Sequence, residues 1–524
     1  MKKYLKFLLL IAALIITPPV YGYEQPFPGI IGLAAGNSHS LAVKSDGTVW
    51  AWGNNSRGQL GIGSWDNEDI HSVPVQVKNL TGIIAVAAGE SHSLALKEDG
   101  TVWAWGNNSL GQLGDGTVLD SPPYCRCNPV QVTGLHNIIA ISAGGNHNLA
   151  LDRDGTVWAW GLNVNGQLGD GTDGPGNIKS IPQKVPNLAD VRQISAGTDH
   201  SMALKKDGSV WTWGNNSRGQ IGDGSGGLSH HRSSPYQVKG LPDVSEIAAG
   251  GAVSTILDRN GKVWSWGLVN TESTNKIYFE VKPLQVPLLD DILSITHGPR
   301  TALKRDGTVW NWGLNDWGQL GDGTINELRA GVRGGGKWPP VRVKGLTDVK
   351  LLSASNTHTL VLKKDGSVWA WGNNWNCQLG LGYKSAREPI CRQVIGLYTP
   401  AASGSKSEIT VMINGQALAF DEFPHIINGT TMVPLRGIFE ALGADVRWDG
   451  ATGTVTATRG DTTVVLKTGS YYAIKNNMQL KLSQPVQQKN GRTMVPLRFI
   501  SEALGADVQW DGELKTISIS ISDR

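Results

Sequence analysis

"HSLALKEDGTVWAWGNNSLGQLGDG" (residues 92–116) alternates small apolar and polar residues, turns at Asp99-Gly100, and alternates again through Trp103 and Trp105. It then enters a stretch made mostly of Asn, Ser and Gly. Period-two alternation on both sides of an Asp-Gly pair predicts a β-hairpin, because successive strand side chains point to opposite faces. Asp-Gly favours the positive φ angles of a tight two-residue turn. The phrase recurs along the chain. Its paired tryptophans stand at Trp50/Trp52, Trp103/Trp105, Trp158/Trp160, Trp211/Trp213, Trp264/Trp266, Trp310/Trp312 and Trp369/Trp371. Each pair follows a turn: Asp46-Gly47, Asp99-Gly100, Asp154-Gly155, Asp207-Gly208, Asn260-Gly261, Asp306-Gly307 and Asp365-Gly366.

Two further extended runs flank each hairpin, one like "IIAVAAG" (83–89) and one like "PVQV" (129–132). Four strands per unit of about fifty residues cannot bury two tryptophans alone, but stacked neighbours can. Fully burying one Trp contributes roughly 4–6 kcal/mol gross. Chain entropy offsets most of that, so the array is stable only as a whole. Seven such units predict an all-β, closed seven-bladed propeller of four-stranded blades over residues 29–397. The first unit opens at "GIIGLAAG" with no preceding "PVQV", and the last ends in "RQVIGL". That asymmetry predicts a clasp in which residues 392–397 complete the first blade.

The chain's start does not belong to this array. Lys2, Lys3 and Lys6 precede the apolar run "FLLLIAALII" (7–16), then "TPP" and a candidate cut after Gly22. This reads as a secretory signal peptide over 1–22, too short for a membrane span. Lys+Arg number 47 and Asp+Glu 44, so losing those three lysines leaves 44 against 44. A neutral mature chain lacks the basic footprint of nucleic-acid binders. The expected location is secreted or extracellular, with cell-wall association.

Four cysteines suit export without forming a disulfide scaffold. "CRC" (125–127) has two thiols but no matched His or Cys nearby, so structural thiols are expected rather than a metal. Cys377 and Cys391 flank the last unit's loop and are the candidate disulfide, worth about 3 kcal/mol in the chain-entropy model. Recurrent His39, His92, His147, His200 and His358 lie on strands among small apolar neighbours. Spread around a ring, they cannot share one metal, so they read as buried imidazoles bonded between strands. "GDGT" at 115 and 170 lacks alternating carboxylate ligands and reads as turn chemistry. No catalytic residue, cofactor or metal site is predicted.

After the polar linker "YTPAASGSKSE" (398–408) comes a second duplication. "NGTTMVPLRGIFEALGADVRWDG" (428–450) returns as "NGRTMVPLRFISEALGADVQWDG" (490–512). Leu435, Ile438, Phe439 and Leu442 have helical spacing, with Pro434 at the start and Gly443 at the stop. Strand-like flanks such as "GTVTATR" (453–459) complete a small α+β unit over 409–522.

"AAGNSHSLAV" (34–43), "AAGESHSLAL" (87–96), "SAGGNHNLAL" (142–151) and "SAGTDHSMAL" (195–204) resemble repeats of the regulator of chromosome condensation family, which implies a seven-bladed propeller. The fifth and sixth units depart: Val253 replaces the His, and "ITHGPRTAL" is shortened. The carboxy-terminal segment resembles the amino-terminal stalk domain of copper amine oxidases. Oxidase chemistry in that family belongs to another domain, and His425 is the only histidine here, so copper is not expected. The resemblance implies attachment or association at a cell surface.

The propeller family includes an exchange factor for a small nuclear GTPase, a role at odds with a signal peptide. A secreted bacterial propeller that inhibits β-lactamases shares the repeat type and compartment, and keeps an enzyme inhibitor open as a reading. The leading expectation is a non-catalytic binding protein whose propeller loops engage an extracellular protein or cell-wall glycan. A polysaccharide hydrolase or lyase is the rival. The loops between "WAWG" and "PVQV" vary in length and carry unshared Trp65, Tyr124, His230, His231, Trp317, Trp338 and Trp375, the candidate partner-binding residues.

Overall fold

The computed structural model describes residues 29–66, 68–227, 230–268, 279–296, 300–326, 337–397, 410–413, 416–417, 424–427, 430–450, 452–489, 492–511 and 516–520. Residues 1–22, expected to be a signal peptide, and the expected linker 398–408 lie outside them. The chain divides into two units, Met1–Ala401 and Ala402–Arg524.

The first unit is seven four-stranded antiparallel meanders in sequence order. In the first blade these are β1 (Ile30–Ala35), β2 (His39–Lys44), β3 (Val49–Asn54) and β4 (Ile70–Gln76). The seventh blade runs from Val349–Ala354 to Arg387–Gln393 in the same way. Its last strand pairs with its own Val368–Asn373, so the expected clasp does not form. Every blade carries its outer strand after its own hairpin, which leaves the first blade complete at β4. Residues 394–397 contribute packing instead: Val394 and Leu397 join Ile30, Ala42 and Trp52 in one core cluster.

The hairpin turns differ from the two-residue form expected. Lys44 N–H donates to Thr48 at 3.0 Å and Gly47 N–H to Lys44 at 2.9 Å, enclosing three residues. Gly47 alone has positive φ, at 77°. This is a turn followed by a left-handed residue, the second common hairpin solution. Asp46 supports it by accepting from Thr48 N at 2.9 Å and Thr48 Oγ1 at 2.6 Å.

The second tryptophan of each pair is fully buried, from Trp52 to Trp371. Each sits between blades, against the small and branched residues of its neighbour. Trp105, for example, packs with Leu41, Val49 and Leu60 of the preceding blade. The first tryptophan of each pair is half-buried, and among the described residues a lysine lies over it in every blade but the fifth, as Lys44 lies 4.1 Å from the Trp50 ring centre.

A hydrogen-bond hub repeats at the blade junctions. Gln59 O of the first blade accepts from Trp105 Nε1 at 2.8 Å and Ser93 Oγ at 2.9 Å of the second. Ser93 Oγ in turn lies 2.9 Å from His39 Nε2. Since the serine proton goes to the carbonyl, the imidazole must donate from Nε2. Four other junctions repeat this with Asn148, Ser201, Ser254 and Ser40. The recurrent histidines are thus buried structural donors. Their rings also explain the recurrent glycine before them: a Cβ on Gly89 would lie 2.2 Å from His92 Cε1.

The second unit builds its core from both copies of the duplication. Leu435, Ile438 and Phe439 of the helix α1 (Leu435–Ala441) and its C-cap Leu442 are buried together with Leu497 and Leu504 of α2 (Leu497–Leu504). The equivalent strands Thr430–Pro434 and Arg492–Pro496 pair antiparallel, placing Val433 opposite Val495. The repeated "MVP" therefore meets itself at the centre of the unit, which a linear reading of the duplication did not reveal.

Candidate binding face

An up-and-down blade sends its first turn and its long third loop to the same end. That end carries the loops between "WAWG" and "PVQV" for the described blades. Each loop folds on side-chain carbonyls and carboxylates. In the second blade Asn108 Oδ1 accepts from Leu113 N at 3.0 Å, while Asp115 Oδ1 accepts from Thr117 N at 2.9 Å. "GDGT" is indeed turn chemistry here.

The candidate residues separate by exposure. Trp375 is 56 % and Trp317 37 % exposed. They occupy neighbouring blades, and Arg387 ties the two loops by donating from Nη1 to Asp316 O at 3.2 Å. Lys384 lies over the Trp375 ring at 5.1 Å. His230 is exposed, whereas His231 is half-buried and meets Asp173 at 3.2 Å. Trp65 and Tyr124 are half-buried, with Arg57 5.4 Å above the Tyr124 ring. The side chain of Trp338 lies outside the described residues.

At the hub of the same face the first turns enclose an open depression of ≈ 580 Å³, including its solvent-filled mouth. Alanine and glycine line it, with Asn37, Glu90, Thr198 and Asn356 among the polar residues. Burial, and secondarily the Glu90 charge, holds the neighbouring Asp199 carboxyl above its usual range. Asn146 Nδ2 donates to Glu90 Oε2 at 3.1 Å. Sequence reasoning passed over this rim. Its signal was present: the two residues between "AAG" and His change from blade to blade ("NS", "ES", "GN", "TD") while their surroundings stay constant.

The cysteines do not pair as expected. Cys377 and Cys391 are both free. Cys377 takes the place of a turn glycine, at φ 56°, on the loop that packs toward the first blade. Cys391 lies in the outer strand and directs its thiol to Lys344 O of the sixth blade at 3.5 Å. The two thiols serve opposite junctions. Cys125 and Cys127, by contrast, bring their sulfurs to 3.2 Å. Burial foremost, then the Cys127 thiol, pushes Cys125 up to about 12. Among the described residues no three His, Cys, Asp or Glu side chains gather as a metal site.

The comparisons with known proteins follow this geometry. Residues 15–300 match the RCC1-like domain, and 306–362 and 365–400 match the regulator of chromosome condensation repeat. Residues 412–519 match the copper amine oxidase N-terminal domain. The ultraviolet-B receptor UVR8 of Arabidopsis thaliana is 32 % identical over 396 residues, covering 72 % of this chain and 84 % of that protein. The probable E3 ubiquitin-protein ligase HERC6 of Homo sapiens is 34 % identical over 249 residues, 46 % of this chain but 24 % of its own length. Among solved structures, Prp20p of Saccharomyces cerevisiae superposes with a TM-score of 0.58 at 23 % identity, covering 68 % of this chain and 87 % of that one. That likeness establishes shared fold alone. With seven four-stranded blades and these matches, the chain belongs to the RCC1-like propeller family, joined to a copper amine oxidase N-terminal domain.

Proposed function

We propose that this chain is an exported, non-catalytic binding protein whose loop-bearing propeller face engages an extracellular protein or cell-wall glycan. The observation that carries the reading is the pair of exposed tryptophans, Trp317 and Trp375, on adjacent loops joined by Arg387. Large aromatics held on rigid loops lose little entropy on binding and commonly anchor interfaces. The propeller framework keeps such loops in place at no cost to their variation. The second unit would mediate surface association. Its five-stranded sheet exposes Tyr472, Ile474 and Met478 along its far edge, apolar area suited to contact with another surface.

The test is affinity capture with the full mature chain from extracellular and wall fractions, followed by the W317S/W375S variant. Loss of at least tenfold in binding with unchanged melting supports the reading. Unchanged binding overturns it. Amino-terminal sequencing of the exported protein, expected to begin after Gly22, checks the compartment.

One observation favours a polysaccharide hydrolase or lyase as the second reading: Glu90, which lines the depression, and the neighbouring Asp199 are carboxylates that the repeat does not share. Asp199, whose carboxyl burial holds above its usual range, would be the acid. Glycan turnover abolished by D199N would establish that reading over the first.

A further inference from the structure

The hub glutamine is missing from the sequence of one blade. Gln378, Gln59, Gln112, Gln167 and Gln220 each accept from the Trp indole and the Ser or Asn of the next blade. Between the sixth and seventh blades Gln319 O still accepts from Trp371 at 2.9 Å. The fifth blade has no such glutamine: after Trp266-Gly267 the chain reads "LVNTESTNKIYFE" (268–280). Two other substitutions meet at that same junction. Val253 stands where a histidine would be, and Arg300 stands where Ser40, Ser93, Ser201 and Ser254 stand in other blades.

Arg300 lies beside Gly313, where the glutamine lies beside the equivalent glycine of other blades. A Cβ on Gly53, Gly106 or Gly214 would approach the Cα of Gln378, Gln59 or Gln167 at 3.3, 3.3 and 3.1 Å. On the equivalent Gly313 it would instead strike Arg300 Nη1 at 1.9 Å. At this position the other blades present a glutamine with its carbonyl acceptor, whereas Arg300 presents a fork of donors. Trp312 Nε1, whose counterparts all bond to the glutamine carbonyl, has no partner, and neither has Arg300 Nε. Arg300 is only 5 % exposed. Burial brings its guanidinium down to about 10, which leaves it charged at neutral pH. A buried guanidinium with an unpaired Nε and a buried indole N–H without an acceptor are both unfavourable.

We propose that the junction of the fifth and sixth blades binds a small oxyanion, carboxylate or phosphate, held by the Arg300 guanidinium and the Trp312 indole N–H. Forked guanidinium donors match the paired oxygens of such groups. The junction supplies a third element of a built site, the glycine at 313 that gives the guanidinium its room. This inference stands apart from the identity of any partner on the loop face.

The test is thermal melting of the full chain with inorganic phosphate or acetate against chloride at matched ionic strength. Wild type should show a saturable rise of a few degrees, as expected for any ligand that binds only the folded state. R300Q, which keeps the side-chain length and removes the charge, should lose the rise, while the exposed control R153Q keeps it. R300K should weaken apparent affinity about tenfold, because it keeps the charge and loses the fork; this variant serves if R300Q folds poorly. No saturable shift in wild type, or an equal shift in R300Q, overturns the proposal. So does E272Q, in the absence of added anion, lowering the melting temperature as far as R300Q with no further loss in the double variant, for then the chain supplies its own carboxylate.

Discussion

His358 Nε2 lies 2.8 Å from Ser40 Oγ, across 318 residues of chain. Ser40 Oγ donates onward to Gln378 O at 2.8 Å, which also receives Trp52 Nε1 at 2.8 Å. A side-chain and backbone hub, with the cluster of Ile30, Trp52, Leu379 and Leu397, thus joins the last blade to the first. Ala35 N–H adds a bond to Ser353 Oγ at 3.0 Å.

Removing the hydroxyl by S40A would leave His358 Nε2 without its acceptor. A buried donor so orphaned costs about 1–3 kcal/mol. The closure contact repeats the internal ones, so S40A and S201A should lower stability in denaturant titration by similar amounts. A far larger loss for S40A would show that closure is a special joint.

The histidine ring makes the propeller acid-sensitive. Burial first, then the His92 and His358 charges, lowers His39 to about 3. His92 and His200 fall to about 4, and His147 and His358 to about 3, each mainly through burial. Below the unfolded value near 6.5 the unfolded chain binds protons that the folded chain refuses. Stability is therefore full above about pH 6.5 and falls as the pH drops toward 4, by about 1.4 kcal/mol per pH unit for each fully refused proton. Denaturant titration across that window should show the fall, and H147N should reduce its slope by about one proton. A pH-independent stability between 4 and 6.5 would contradict the buried neutral ring.

Gly89 should not tolerate a methyl group. Its Cβ would meet His92 Cε1 at 2.2 Å, Nδ1 at 2.6 Å and Gly144 O at 2.7 Å. G89A should destabilise by about 1–3 kcal/mol, the usual cost of overpacking a core. G134A meets nothing within 4 Å but holds φ 74°, so its loss should be the smaller backbone penalty of about 1 kcal/mol. Melting of the two variants side by side distinguishes steric from conformational demand.

The thiols should differ in reactivity. Cys127 is half-exposed, whereas Cys125, Cys377 and Cys391 are buried. Burial raises all four thiols, so native alkylation should be slow and should quicken with pH, because the thiolate is the nucleophile. Mass mapping should find Cys127 modified first. A native disulfide between Cys377 and Cys391 in the same map would refute their placement at opposite junctions.

The sequence by itself determined the blade. Alternation around Asp46-Gly47 and its counterparts dictates hairpins, and paired tryptophans every fifty or so residues demand neighbours to cover them, because these are local or strictly periodic constraints. Leu435, Ile438, Phe439 and Leu442 likewise announced their buried face through helical spacing. What only the tertiary structure decided involves residues distant in the chain. The hub needs Gln59 O, Ser93, Trp105 and His39 at one point from two blades, and no single repeat contains that geometry. The same holds for Val433 opposite Val495, where two copies of one phrase pair with each other. The exposed pair Trp317 and Trp375 differs from half-buried Trp65 only through what neighbouring loops cover. Arg300 is the clearest case: the sequence shows only a basic residue where other blades carry serine, and only packing against Gly313 shows that its guanidinium is buried.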